Sequence, residues 1–447
     1  MFVVGLSGID ILLSLLYISV ILLVLKSFVK KQKVQNYSIY LVPFIGFKML
    51  CAVLFCLLHS YIYRGGDTFL YFAGGNYLLD QIAHQPTQIF TFLFNSADTF
   101  TNLIYTKHNI LLGSFNDSPT LLQCQLTAMF SFVGGKQFMT TTILMSAVSG
   151  IGIWQLYKSI CKLYPHLFKV FALCILFYPS MGIWGSGILK DTFTLTSVGL
   201  IFGGVYHLLN KKKSLPQIIA IAIGIFLCFK LKPYVLYTFL PAMLLLVQSS
   251  LTKKVNSQLF KIIVTPIIIF VITLGGLFFL QQVSKGAGKY SIENVQSVAE
   301  GFQSWHTYLA ETRDQSGYTL GDVEFTALGV LKKAPEALFV TYFRPFPFID
   351  TRNFATFFEA IQSFILFLIT IFIILRVGPF KFVKKCFSIP EVRAFLVFAI
   401  FLGVAVGLTS YNFGALSRYK IPCLPFFTSA LAIIYYTSKP QLNKRPN

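Results

Sequence analysis

LSGIDILLSLLYISVILLVLKS, residues 6–27, decides what kind of protein this is. A helix needs about 17–25 mostly apolar residues to cross the hydrocarbon core of a bilayer. This run meets that length and then gives way to Lys26, Lys30, Lys31 and Lys33. Further stretches of the same kind lie at 38–59, 137–157, 168–186, 191–208, 216–232, 234–250, 262–281, 355–376, 393–410 and 421–437. They predict an all-α, polytopic membrane protein with about 11 transmembrane helices. Composition agrees. Of 447 residues, 55% are hydrophobic and only 12% are charged, where a soluble chain carries roughly a quarter.

The formal net charge of +21 invites a nucleic-acid reading, and the placement of the charges removes it. Every second connection is basic: Lys158, Lys162 and Lys169; Lys211 to Lys213; Lys253, Lys254 and Lys261; Arg376, Lys381, Lys384, Lys385 and Arg393; Lys439, Lys444 and Arg445. By the positive-inside rule these connections face the cytoplasm. Only Glu391 joins them there, whereas Asp67, Asp80, Asp98, Asp117, Asp191, Glu293, Glu300, Glu311, Asp314, Asp322, Glu324, Glu336 and Asp350 fall opposite. The basic excess is a topology signal. No basic residue precedes the first span, the reverse of a cleavable signal peptide, so the amino terminus is expected outside and the carboxy terminus inside. The cysteines, Cys124 apart, lie in or near spans or on the cytoplasmic side, and no disulfide framework or metal motif follows from them.

Two outside segments, about 60–136 and 282–354, are too long to be simple connectors, and long loops in compact structures are usually functional. In the second, Ile292, Val295, Val298, Phe302, Trp305 and Leu309 recur at helical spacing with Glu293, Gln296, Glu300 and Gln303 between them, which predicts an amphipathic helix at the membrane surface. Weaker patterns run from Tyr77 to Leu93 and from Phe100 to Leu112, and the apolar 119–134 stretch is expected to be re-entrant or interfacial. No repeat or inverted pair of broken spans stands out, and one domain is the simplest reading.

Four outside clusters hold the chemistry-bearing residues. Tyr63-Arg64-Gly65-Gly66-Asp67-Thr68 places a carboxylate just past the second span. Asp67 can accept a proton from an acceptor hydroxyl, hold a divalent cation such as Mg or Mn beside a phosphate, or cap the next helix. The hairpin around Gly185-Ser186-Gly187-Ile188-Leu189-Lys190-Asp191 offers Lys190 to a phosphate and Asp191 as an N-cap. Tyr342-Phe343-Arg344-Pro345-Phe346-Pro347-Phe348 fixes an extended backbone around Arg344, suited to bidentate phosphate binding or to snorkelling. In Tyr411-Asn412-Phe413-Gly414-Ala415-Leu416-Ser417-Arg418-Tyr419-Lys420, Arg418 and Lys420 run against the positive-inside trend, and an anionic headgroup or a phosphorylated substrate explains them equally. Lys48, inside the second span, is either functional or an inert buried lysine, with Glu359 as a candidate partner. His306, near Glu300 and Glu311 in the surface helix, is an acid/base candidate or a structural histidine.

These motifs together (Gly-Asp-Thr and Tyr after an early span, Ser-Gly-Ile-Leu-Lys-Asp at a hairpin, Arg-Pro-Phe-Pro-Phe before a late span, and Asn-Phe-Gly then Arg in the last outside loop) resemble bacterial polytopic proteins of surface-polysaccharide synthesis, the O-antigen polymerase-like and GT-C type glycosyltransferases. The resemblance implies a polyprenyl-phosphate or polyprenyl-diphosphate sugar donor, a glycan acceptor and a site at the outer face of the cytoplasmic membrane. Asp67 matches the family's early-loop acidic position and stands as general base, with His306 second; Arg344 and Arg418 match the outside arginines, and Arg64, Lys190 and Lys420 join them as carrier-binding candidates. The chain departs from the family in lacking a paired acidic motif beside Asp67 and a large soluble C-terminal domain, so a divalent cation is not fixed by the likeness and its ligands are unknown. The competing class is a transporter, flippase or non-catalytic envelope-assembly protein, which would place ionisable groups at the midplane.

Overall fold

The computed structural model describes residues 5–31, 36–100, 103–104, 109–210, 214–253, 295–312, 316–321, 323–324, 326–352 and 354–439. Seven of the described helices are long and apolar enough to cross a bilayer: Gly8–Lys30, Asn36–Tyr63, Phe138–Leu163, Lys190–Asn210, Pro233–Thr252, Thr356–Val377 and Pro390–Thr409. Pro165–Leu176, Leu215–Leu231 and Leu424–Thr437 are shorter apolar helices. These segments fall on the stretches read from the sequence, except 262–281, which lies outside the described residues. The protein is an all-α polytopic membrane protein, and its described residues contain no strand, only a single antiparallel bridge between Gly317 and Asn412.

Contacts divide the chain into two compact units, 1–204 with 215–232 and 205–214 with 233–447. In the first unit, α1 (Gly8–Lys31) and α2 (Leu41–Leu57) pack on each other and on α5 (Phe138–Leu163), while α3 (Asp67–His84) lies along α4 (Ser118–Val133). A short helix, α6 (Pro179–Trp184), packs on α2, and α7 (Lys190–Asn210) and α8 (Leu215–Leu231) follow. Asp10 ties α1 to α5: its buried carboxylate accepts from the Met139 and Thr140 backbone N–H groups at 2.9 Å and from Thr140 Oγ1 at 2.9 Å. A carboxylate at a helix N-terminus meets orphan donors and the positive end of the dipole. Its position inside an apolar run hid it from sequence reading.

The 119–134 stretch is a helix whose Thr120, Leu121, Gln123, Cys124, Gln125, Thr127, Ala128 and Ser131 are buried, so it is covered on more than one side by protein. One element differs from the sequence expectation. The 168–186 stretch is broken: helical turns end at Leu176, Tyr178 is extended at ψ 118°, and α6 starts at Pro179. Proline has no N–H to donate and disfavours the helical region for the residue before it.

Gly152 of α5 sets how closely α7 approaches. A Cβ there would sit 2.1 Å from the Thr196 carbonyl oxygen, and Thr196 Oγ1 donates to Ser149 O at 2.9 Å across the same crossing. Small residues allow such backbone approach between membrane helices. Gly152→Ala is therefore expected to cost about 1–3 kcal/mol, at the upper end because backbone opposes it. Thermal unfolding in detergent reads this, and an unchanged midpoint would contradict the crossing.

In the second unit, α14 (Pro390–Thr409) is central. Against it pack α9 (Pro233–Lys253), α10 (Val295–Thr312), α11 (Ala327–Phe343), α13 (Pro379–Ser388) and α16 (Leu424–Thr437), with α12 (Phe354–Val377) on α11 and α15 (Phe413–Tyr419) on both α12 and α14. The amphipathic helix read from the 282–354 segment is α10; its exposed Trp305 and Tyr308 stack at 5.8 Å. Beyond it, Tyr318 N–H donates to Tyr411 O at 3.1 Å and Phe413 N–H to Ser316 O at 3.0 Å, so the long segment is stitched to the last connecting loop.

Candidate functional site

In the first unit the candidates gather at the start of α3. Gly66, at φ 118°, turns the chain into that helix, a conformation open to glycine and strained for other residues. Asp67 is the first helical residue and is exposed. Its carboxylate therefore lies at the positive end of the helix dipole without serving as the N-cap, which is Gly66. Arg64, just before it, is exposed with φ 48°. His59, which the sequence reading passed over, is buried beside Gly66: Nδ1 lies 3.0 Å from Phe55 O, and the ring packs among Phe55, Tyr63 and Trp184.

One turn along α3, the Tyr71 ring lies under Lys190 Nζ, 5.6 Å from its centroid. The same ammonium donates to Asp117 Oδ2 at 3.1 Å and to Thr120 Oγ1 at 2.9 Å. Asp117 also caps α4, accepting from the Thr120 N–H at 3.2 Å. Thus an aromatic ring from α3 and polar groups from the start of α4 surround the α7 ammonium, and Lys190 is partly buried there with 17% of its side chain exposed. Nearby in sequence, Thr68 Oγ1 and both polar atoms of Gln123 are buried without a hydrogen-bond partner among the described residues. Buried polar atoms are normally satisfied, by protein, water or a ligand.

Asp191, expected as an N-cap, is instead half of a buried ion pair: Lys232 Nζ lies 2.5 Å from its Oδ1, with 9% and 0% of the two side chains exposed. Lys232 carried no sequence signal beyond its place at a span end. Lys48 is buried in α2, and its ammonium donates to the Gly185 carbonyl at 2.5 Å. Its partner is the carbonyl at the end of α6.

The second unit holds the remaining candidates. Arg344 forms a fork on Asp350, with Nε 3.0 Å from Oδ2 and Nη2 on Oδ1; the Phe346 N–H donates to the same carboxylate at 2.7 Å. The guanidinium carbon lies 5.3 Å from the centre of Phe413. Arg344, expected on a phosphate, thus holds the 344–350 turn and reaches the last connecting loop. Asp350→Ala is expected to cost about 1.5–3 kcal/mol, the worth of hydrogen bonds to a charged group. Arg344→Lys should recover little of this because lysine lacks the planar fork. Unfolding in detergent checks both, and an Arg344→Lys variant that melts like the parent would return the arginine to ligand duty.

Arg418 is half-buried in α15, its guanidinium carbon 5.9 Å from the Tyr419 ring centre. Lys420, expected at an anionic headgroup or a phosphorylated substrate, is buried in the turn between α15 and α16, where Nζ donates to Thr341 O at 2.9 Å and Ser363 Oγ at 3.4 Å. Burial pulls its pKa down to about 8, against the opposing charge of Glu359. From about pH 8 to the ordinary lysine range the unfolded chain binds more protons at this position than the folded one, so folded stability rises with pH through that window. Melting followed from pH 7 to 10 should show that rise, and Lys420→Met should flatten it; equal slopes would contradict the buried ammonium. Burial also pushes the Tyr318 and Tyr411 phenols up. Their rings stack at 5.4 Å beside Phe413.

Glu300 of α10 is exposed and accepts from Gln296 Nε2 at 3.0 Å. His306 lies in α10, and its side chain is outside the described residues. Among the described residues, no group of three or more His, Cys, Asp or Glu side chains is placed to hold a metal ion.

Fold and site define the class: an all-α polytopic membrane protein with charged clusters at helix ends. Comparison with protein-family models, curated proteins and solved structures finds no match to any of them.

Proposed function

We propose that the protein is a membrane glycosyltransferase or polysaccharide polymerase that moves a sugar from a polyprenyl-phosphate or polyprenyl-diphosphate carrier to a glycan acceptor at the outer face of a bacterial cytoplasmic membrane. The observation that supports it best is the exposed Asp67 carboxylate at the head of α3, one turn from Tyr71 and its overlying Lys190 ammonium. A base on α3 and a cation from α7 over the ring one turn further along α3 suit displacement at an anomeric carbon. Asp67 takes the proton of the acceptor hydroxyl, and the acceptor oxygen forms the new bond to the anomeric carbon. The bond from that carbon to the carrier's phosphate oxygen breaks, and the phosphate leaves with the electron pair and meets Lys190. Asp117 and Thr120 hold two of the three lysine donors and so fix the ammonium's position. Arg418 is a separate carrier-phosphate candidate within the second unit. The charge alternation supports an outside amino terminus and a cytoplasmic carboxy terminus.

A second reading, movement of the lipid-linked sugar across the bilayer, draws on Lys48, buried inside the span Asn36–Tyr63, since ionisable groups within membrane segments commonly mark transport pathways. Purified protein in vesicles, supplied with polyprenyl-diphosphate sugar and a glycan acceptor, separates the two. The transferase reading expects a lengthened acceptor and free carrier phosphate. Intact donor recovered on the opposite face supports transport instead, and neither product with a range of sugars would sink the proposal.

A further inference from the structure

The segment PFKFVKKCFS, Pro379–Ser388, forms a helix of its own, α13, between the spans ending at Val377 and starting at Pro390. Proline opens both α13 and α14, which keeps the short helix from fusing with the span that follows. At about 100° per residue, its side chains sort into three strips. Phe382, Cys386 and Lys385 are half-buried towards the unit, and Lys385 Nζ donates to Thr437 Oγ1 of α16 at 2.8 Å. Phe380, Val383 and Phe387 form a second strip and are 93%, 54% and 67% exposed. Lys381 and Lys384 are exposed on the third.

We propose that α13 is seated in the headgroup layer of the bilayer, its Phe380–Val383–Phe387 strip in the acyl chains and Lys381 and Lys384 on the phosphates of anionic phospholipid. Depth supports this occupant, because α13 begins two residues beyond the end of one span and ends two before the start of the next. The apolar strip also follows closely on the exposed end of α12, where Phe372 and Leu375 are 53% and 72% exposed on a membrane-spanning helix. Charge decides between lipid classes: two exposed ammonium groups flank the apolar strip, and basic residues near a surface are drawn to anionic lipid. This inference is independent of the reaction proposed above.

The test uses the full chain with Phe387→Trp, reconstituted in vesicles of phosphatidylcholine mixed with phosphatidylglycerol whose acyl chains carry bromine near the headgroup end; the parent's emission is subtracted. Phe380→Trp serves as the second probe should the first disturb folding. Bromolipid is expected to quench the added indole, while iodide in the water is not. In native mass spectrometry, phosphatidylglycerol retained over phosphatidylcholine is expected to fall by roughly fivefold for each lysine removed in Lys381→Gln and Lys384→Gln. Quenching by iodide would place the strip in water. Quenching by neither agent would mean that protein, such as a second copy of the chain, covers it. Unchanged phosphatidylglycerol retention would remove the anionic headgroup from the account. Each of these three results overturns the proposal.

Discussion

Lys232→Met or Asp191→Leu alone is expected to cost about 3–5 kcal/mol, while the double variant is expected to fold about as well as the parent. The two charges lie 2.5 Å apart where neither side chain has more than 9% exposure. Removing one leaves the other charged in a poorly solvating interior, the most expensive state available to it. Removing both deletes the desolvation penalty together with the attraction, and apolar replacements of similar size are often neutral or stabilising. Against a total stability on the order of 5–15 kcal/mol, each single change should sharply reduce the folded protein recovered in detergent. Melting and yield of the three variants measure this. A Lys232→Met protein as stable as the parent would mean the pair does not hold α7 to the end of α8. A stable double variant that has lost activity would mean the pair serves function as well as folding.

The helices were legible because membrane spans are written in run length and in lysine placement, both local properties of sequence. Phe138–Leu163 and Pro390–Thr409 could be read without knowing what they touch. The break at Pro179 was less visible, since the apolar run continues through it and only the backbone shows the interruption. Of the candidate residues, Asp67 was legible because it follows two glycines just past a span, and the structure sets it on the same helix as Tyr71, whose ring lies under Lys190. What the sequence did not offer was the partners. Asp191 and Lys232 are 41 positions apart, and Lys232 follows Lys230 at a span end, where a lysine ordinarily reads as snorkelling. Asp10 and the Met139–Thr140 amides are farther apart still. Arg344 and Asp350 are only six residues apart, yet two prolines between them gave no regular geometry from which to infer the fork. Charge type was readable, but whether a charge was already engaged depended on long-range packing.

Asp67 carries the largest expected effect on activity. Asparagine keeps the shape of aspartate and much of its hydrogen-bonding capacity while removing the basic carboxylate, and general-base assistance is typically worth about 10²–10⁴-fold in rate. Because Asp67 is exposed and Gly66 is the N-cap of α3, folding should be little affected. The decisive measurement is sugar transfer from a polyprenyl-diphosphate donor by purified parent and Asp67→Asn proteins with matched melting behaviour. Transfer by the parent, reduced by at least about 10²-fold in the variant, is the predicted result; transfer at the parental rate by a well-folded Asp67→Asn protein would contradict the assignment of this carboxylate as the base.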